Sequence, residues 1–212
     1  MKKIRVIVNA VLAGICIGIG GTVFLSLESR LAGALLFTVG LFTIVSFGLE
    51  LFTGKVGQLP QRGMRYLPEL ALIWLGNLAG TALAGMLVRH TRAGEALAAR
   101  AAELCAAKLA DGLASIFILS LLCGMLMYIA VETYRSCRHE LGKYLGLFLG
   151  VSVFILCGFE HCVANMFYFT AAGAWSLRAL GYLAVMTLGN SAGGLLMPLC
   201  AKLMSASEAE KQ

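Results

Sequence analysis

Glu160 and His161 stand side by side in "GFEHCVANMF" (158–167), inside a long apolar run. An ionised group facing lipid costs several kcal/mol, so residues of this kind face inward, pair, or stay neutral. Glu50 has the same setting in "GLELF" (48–52), two residues after a glycine as Glu160 is. Each carboxylate has two readings: it accepts hydrogen bonds from backbone N–H groups freed at a helix break, or it carries protons. The symmetric placement favours the first. His161 has no twin, because Leu51 occupies the equivalent place. A broken symmetry points to a single-site task, against the plainer alternative of a packing histidine bonded to a carbonyl. As a neutral imidazole, the form that apolar surroundings favour, it offers one N–H donor to an anion.

Other polar residues fall at telling positions. Lys108 closes a polar connection just before the fourth apolar run. It reads either as a solvated loop lysine or, at a pore mouth, as a group that raises local anion concentration. Asn77 and Asn190 each follow glycine in "LGN" and read as hydrogen-bonding residues between packed helices. Metal ligation is not expected: there is no H-E-x-x-H, and His90 and His139 fall in connections. No cofactor is implied, since G-x-S-x-G, P-loop and dinucleotide-binding patterns are all missing. An acid–base enzyme built on Glu160 and His161 is disfavoured, because adjacent helical residues project about 100° apart.

Composition places these residues in a membrane. Of 212 residues, 59% are hydrophobic and 13% charged, against about 25% charged in soluble domains. Net charge is +6, but the basic residues are spread over short connections rather than gathered in one patch. That argues for membrane orientation and against a nucleic-acid partner. The seven cysteines show no C-x-x-C and mostly lie in apolar runs, so they read as small buried hydrophobes.

Six apolar runs can be marked, at roughly 6–27, 32–52, 66–88, 112–133, 144–169 and 174–203, each long enough for a bilayer core of about 30 Å. The first is read as a retained span rather than a cleaved signal. With the N-terminus inside, Lys2, Lys3, Arg5, Lys55, Arg62, Arg65, Arg135, Arg138, Lys143, Lys202 and Lys211 lie on the cytoplasmic side. Only Arg30, Arg89, Arg92, Arg100, Lys108 and Arg178 lie on the other, so both termini are expected in the cytoplasm. The long connection before Lys108 is expected to be an amphipathic or loosely helical segment outside the bilayer.

The halves echo each other. "GLELF" and "GFEHC" are offset by 110 positions, and "LGNLAGTAL" (75–83) and "LGNSAGGLL" (188–196) by 113. Three spans per repeat is an odd number, so the second repeat must be inverted. The expected fold is an all-α membrane protein with one transmembrane pore domain over 1–212. It has six transmembrane helices in two inverted repeats (about 6–88 and 112–203). The second and fifth helices are interrupted, at Gly48–Lys55 and Gly158–Asn165. Inverted repeats with broken helices are a transport architecture with its path near the midplane.

At these residues the chain resembles the formate/nitrite transporter family, over about residues 10–200. "LELFTGKVG" (49–57), "GFEHCVANMF" and "LGNSAGG" (188–194) carry the resemblance, in that order and spacing. It implies an aquaporin-like fold, a homopentamer with one pore per protomer, and passage of formate, nitrite or hydrosulfide. The family's pore histidine falls on His161, its interrupted-span threonine on Thr53, its vestibule lysine on Lys108. Hydrophobic constrictions fall on Phe37, Leu41, Leu51 and Phe154. Asn165 and Asn190, with Glu50 and Glu160, are expected to brace the breaks. One position departs: many members carry asparagine where this chain has Gly124. That is expected to remove a polar pore group, widen the cavity and admit a larger carboxylate such as acetate or lactate. The remaining alternative is a pore for small neutral solutes. The partners expected are a small anion, a proton and the lipid of a bacterial inner membrane.

Overall fold

Where glycine stands on a helix surface, backbones can touch, and two helix pairs here are built that way. In the computed structural model, which describes the backbone of residues 2–209 and the side chains of 3–205, α1 (Lys2–Ser26) packs on α5 (Leu67–Arg89). The matching pair is α7 (Leu113–Ser136) and α10 (Leu177–Ala209). The Lys2 side chain and Lys211, both counted above as cytoplasmic, lie outside the described residues. A β-carbon at Gly80 would lie 2.0 Å from the Val11 carbonyl oxygen, and one at Gly193 would lie 1.9 Å from that of Leu121. These contacts repeat the 110- and 113-residue offsets of the sequence. Close backbone approach through small residues is how helices gain packing energy where lipid removes the hydrophobic drive.

Four helical stretches are long and apolar enough to cross a membrane: Lys3–Ser26, Met64–Arg89, Leu113–Ser136 and Leu177–Ser205. Their outward faces carry exposed Ile4, Leu12, Leu75, Ile118 and Leu188, a surface suited to hydrocarbon and not to water. The remaining apolar runs are broken. α2 (Arg30–Ser46) stops before Gly48, and α3 (Phe52–Lys55) begins a turn later. α8 (Glu140–Leu156) stops before Gly158, and α9 (Cys162–Ala172) begins. Gly48 and Gly158 sit at φ +64° and +70°, a left-handed conformation that costs glycine little and other residues more. The breaks are shorter than expected, because Phe52 and Cys162 already start new helices.

Beyond α3 the chain continues through a 3₁₀ turn (Val56–Gln58), the short α4 (Leu59–Arg62) and a second 3₁₀ turn (Met64–Tyr66). The connection expected to be loosely helical is a regular helix, α6 (Gly94–Ala110). It buries Gly94, Leu97, Ala101 and Cys105, a spacing of three to four residues that lays one face against α9. Cys162 through Ala171 of α9 are all buried, so this half-helix is the middle of the molecule.

Candidate functional site

Each break leaves backbone groups that need partners, and one asparagine serves each. The Phe52 N–H donates to Asn77 Oδ1 at 2.8 Å, and Asn77 Nδ2 donates to the carbonyls of Ala10 and Glu50, both at 2.8 Å. At the second break the Cys162 N–H donates to Asn190 Oδ1 at 2.8 Å, and Asn190 Nδ2 donates to the carbonyls of Ser120 and Glu160, both at 2.7 Å. Both asparagines are fully buried. A buried backbone group left without a partner costs about 1–3 kcal/mol, so the four bonds to the Phe52 and Cys162 N–H groups and the Glu50 and Glu160 carbonyls make the breaks tolerable in a membrane interior, and the two to Ala10 and Ser120 tie them to α1 and α7.

This corrects the assignment of the bracing to the glutamates. The Glu160 carboxylate accepts from Lys108 Nζ at 2.6 Å and from Asn165 Nδ2 at 2.8 Å. The Glu50 carboxylate pairs with Lys55 at 2.8 Å. Neither takes an amide freed at its break among the described residues; what the breaks use is the backbone of Glu50 and Glu160. Asn165 Nδ2 also donates to the His161 carbonyl at 3.0 Å, beside the helical bond from its own N–H. Asn77 is the bracing residue that sequence reasoning undervalued; its "LGN" twin, Asn190, was the available signal.

His161 and Thr53 meet across the two breaks. His161 caps α9: the Ala164 N–H donates to its Nδ1 at 3.1 Å. A ring nitrogen that accepts carries no hydrogen, so the proton of the neutral ring is on Nε2. Nε2 lies 2.8 Å from Thr53 Oγ1 and donates to it, which leaves the threonine's own hydrogen unspent. Both side chains are buried. Phe154 stacks on the imidazole with ring centroids 5.6 Å apart, and Phe37 meets Phe154 edge-on at 6.0 Å.

Two cavities with no shared lining residue flank this cluster. One, of about 260 Å³, is lined by His161, Phe154, Asn165, Lys108 and Arg30. The other, of about 480 Å³, is lined by Leu41, Leu51, Lys55, Tyr134 and Arg135. Of the residues expected to constrict a pore, Phe154 lies on the Lys108 side, and Leu41 and Leu51 lie on the Lys55 side. Phe37 and Thr53 lie in neither wall. Lys108 does reach a cavity wall, but as the partner of Glu160 rather than as a free cation. One turn earlier on α6, burial pushes the Cys105 thiol up to about 11, so it is no thiolate nucleophile at neutral pH.

Gly124 does not face either cavity. A β-carbon there would lie 2.2 Å from the Asn190 carbonyl oxygen, so backbone fills the space that a side chain would occupy. Its counterpart, 110 residues earlier, is Gly14, whose β-carbon would lie 2.4 Å from the Asn77 carbonyl oxygen. The expected widening of the cavity at Gly124 is therefore not found; the glycine lets α7 and α10 touch.

A helical bundle with an apolar exterior, and with polar groups gathered at two mid-chain breaks between cavities, defines an integral membrane channel or transporter. The chain belongs to the formate/nitrite transporter family, whose model matches residues 1–204. A probable formate transporter of Methanothermobacter thermautotrophicus is 29% identical, over 92% of this chain and 86% of that protein. The nitrite transporter NirC of Salmonella typhimurium is 27% identical, over 89% of this chain and 78% of its own length. Among solved structures, a pentameric formate channel with formate bound matches with a TM-score of 0.80 at 25% identity, covering 97% of this chain and 98% of that one. These relatives are transporters and channels, not enzymes.

Proposed function

We propose that this protein is a channel for small monovalent weak-acid anions of the formate, nitrite or hydrosulfide type, which take up a proton beside His161. The observation that carries the reading is the 2.8 Å contact between Thr53 Oγ1 and His161 Nε2. It leaves the threonine hydroxyl's hydrogen free to turn to an anion in an otherwise apolar neck, with the ring N–H behind it polarising that hydroxyl. On this reading Phe37 and Phe154 narrow the path on one side of that pair, and Leu41 and Leu51 narrow it on the other. Desolvating a bare anion there costs many kcal/mol, and neutralising it removes most of that cost.

The proton is best drawn from water on the Lys108 side. With Nδ1 held by the Ala164 amide, the ring carries one proton, and giving it up would leave an imidazolate. His161 and Thr53 then hold the anion while it is protonated, and the neutral acid crosses. The protein makes six crossings as two inverted repeats, 6–88 and 112–203, with both termini in the cytoplasm. It sits in a bacterial inner membrane as a homopentamer; the pentameric relative supports that assembly.

Formate uptake into proteoliposomes, with protein-free vesicles subtracted, is expected to rise several-fold when external pH falls from about 7.5 to about 5.5, as the acid fraction grows. His161→Ala is expected to lower it about tenfold or more. Uptake that ignores both pH and His161→Ala would reject the reading. Passage of an uncharged solute without acid-anion flux would support the neutral-solute pore, and equal acetate and lactate flux the larger-carboxylate pore.

A further inference from the structure

Lys108 is the charge that the sequence assigns to attracting anions, yet its ammonium lies 2.6 Å from the Glu160 carboxylate. Held that close, the two charges largely cancel at the distance of an approaching ion. The other cation in the cavity wall shared with His161 is Arg30. Among the described residues no carboxylate lies within 4 Å of its guanidinium. One of its terminal nitrogens, Nη2, donates to the Ile155 carbonyl at 3.2 Å, and it stands 4.0 Å from where a Gly158 β-carbon would be. A guanidinium has five N–H donors, so a single carbonyl leaves most of them free.

Its location adds to this. A second cavity, of about 410 Å³, adjoins the first and is lined by Glu28, Arg100 and Glu103. Phe24, Arg30 and Leu104 line both cavities. Arg30 therefore stands where the more open groove passes into the chamber of His161, at the start of α2 and against the turn that forms the second break. Arg100, which donates to the Leu25 carbonyl at 2.7 Å, lines only the groove, beside the two carboxylates, and not the chamber of His161. Without Arg30 the groove carries two negative charges and one positive.

We propose that Arg30, and not Lys108, is the residue that draws anions into the Lys108-side cavity and hands them toward His161. This rests on the channel reading above. Arg30 touches the anion before the narrow part of the path, so it governs capture and not the crossing step. A single unpaired charge at a cavity mouth raises local anion concentration severalfold, and salt screens it over about 8 Å at physiological ionic strength.

The test is formate uptake into proteoliposomes by Arg30→Gln and Arg30→Lys, as a function of formate concentration at low and high salt. Arg30→Gln is expected to raise the half-saturating concentration about threefold to tenfold, leave the maximal rate within about twofold, and flatten the salt dependence. Arg30→Lys keeps the charge and is expected to behave like the unaltered protein. If Arg30→Gln keeps both the half-saturation and the salt dependence, the proposal is overturned. It is equally overturned if both variants lose maximal rate and thermal stability together, which would make Arg30 only a cap on the Ile155 carbonyl. If the unaltered protein passes no weak-acid anion at all, the channel reading has failed, and that outcome is distinct from either result.

Discussion

The two helix breaks share a backbone plan and differ in what they hold. Both turn on a left-handed glycine, and both are closed by one buried asparagine making three bonds. After the first break α3 lasts one turn before the chain tightens into 3₁₀ geometry. After the second, α9 runs eleven residues inside the protein. The residue that opens each new helix is Leu51 in one case and His161 in the other. The carboxylate next to it meets a partly exposed lysine in one case and a largely buried lysine and amide in the other. The duplicated parts hold the scaffold together; on the function proposed above, the parts that differ carry the chemistry.

That division can be attacked where it predicts equality. Asn77→Ala and Asn190→Ala should be the most damaging changes, each orphaning the N–H and the carbonyl freed at its break, at about 1–3 kcal/mol apiece, and cutting a bond to the neighbouring helix as well. Thermal unfolding in detergent is expected to drop by about 10 °C or more in both. Markedly unequal drops would show that the breaks are not structural equivalents.

Gly14→Ala and Gly124→Ala come next. Each forces a methyl group against an asparagine carbonyl, at an overpacking cost of about 1–3 kcal/mol. The two losses should match, and formate selectivity over acetate should stay unchanged at Gly124. A change in selectivity with little loss of stability would restore Gly124 to the pore.

The carboxylates should give unequal effects, one of them the smallest of the series. Glu50→Gln breaks a partly exposed pair with Lys55 and is expected to cost less than about 1 kcal/mol. Glu160→Gln leaves the more deeply buried Lys108 without its counter-charge and should cost more, about 3 kcal/mol. It should also alter formate uptake, as Glu50→Gln should not. Indistinguishable stability and uptake in the two variants would remove the distinction between the carboxylates.

Much of this was legible in the sequence because membrane helices write themselves in long apolar runs. Two glycine-led motifs at fixed offsets also gave away the duplicated breaks. His161 stood out because Leu51 replaces it in the twin. What the sequence did not carry were the directions in which side chains point. Glu160 lies next to a break in the chain, yet its carboxylate turns to Lys108, 52 residues away. Gly124 lies in a helix expected to line a pore, yet faces α10, because a helix has as many faces as neighbours and spacing alone does not say which one meets which. In the sequence Arg30 is one basic residue of a connection; its place between two cavities depends on how α2 starts beside the end of α8.

The glycine contacts between α1 and α5, and between α7 and α10, have a mechanical meaning. Where carbonyl oxygen rests on bare α-carbon there is no layer of side chains to slide over, so neither pair can shear or roll without collision. Each pair is a single rigid stave. On the channel reading proposed above, what gives way when an anion passes is then small and local: a rotating Phe154 or Leu51, or the few residues of a glycine turn, between walls that stand still.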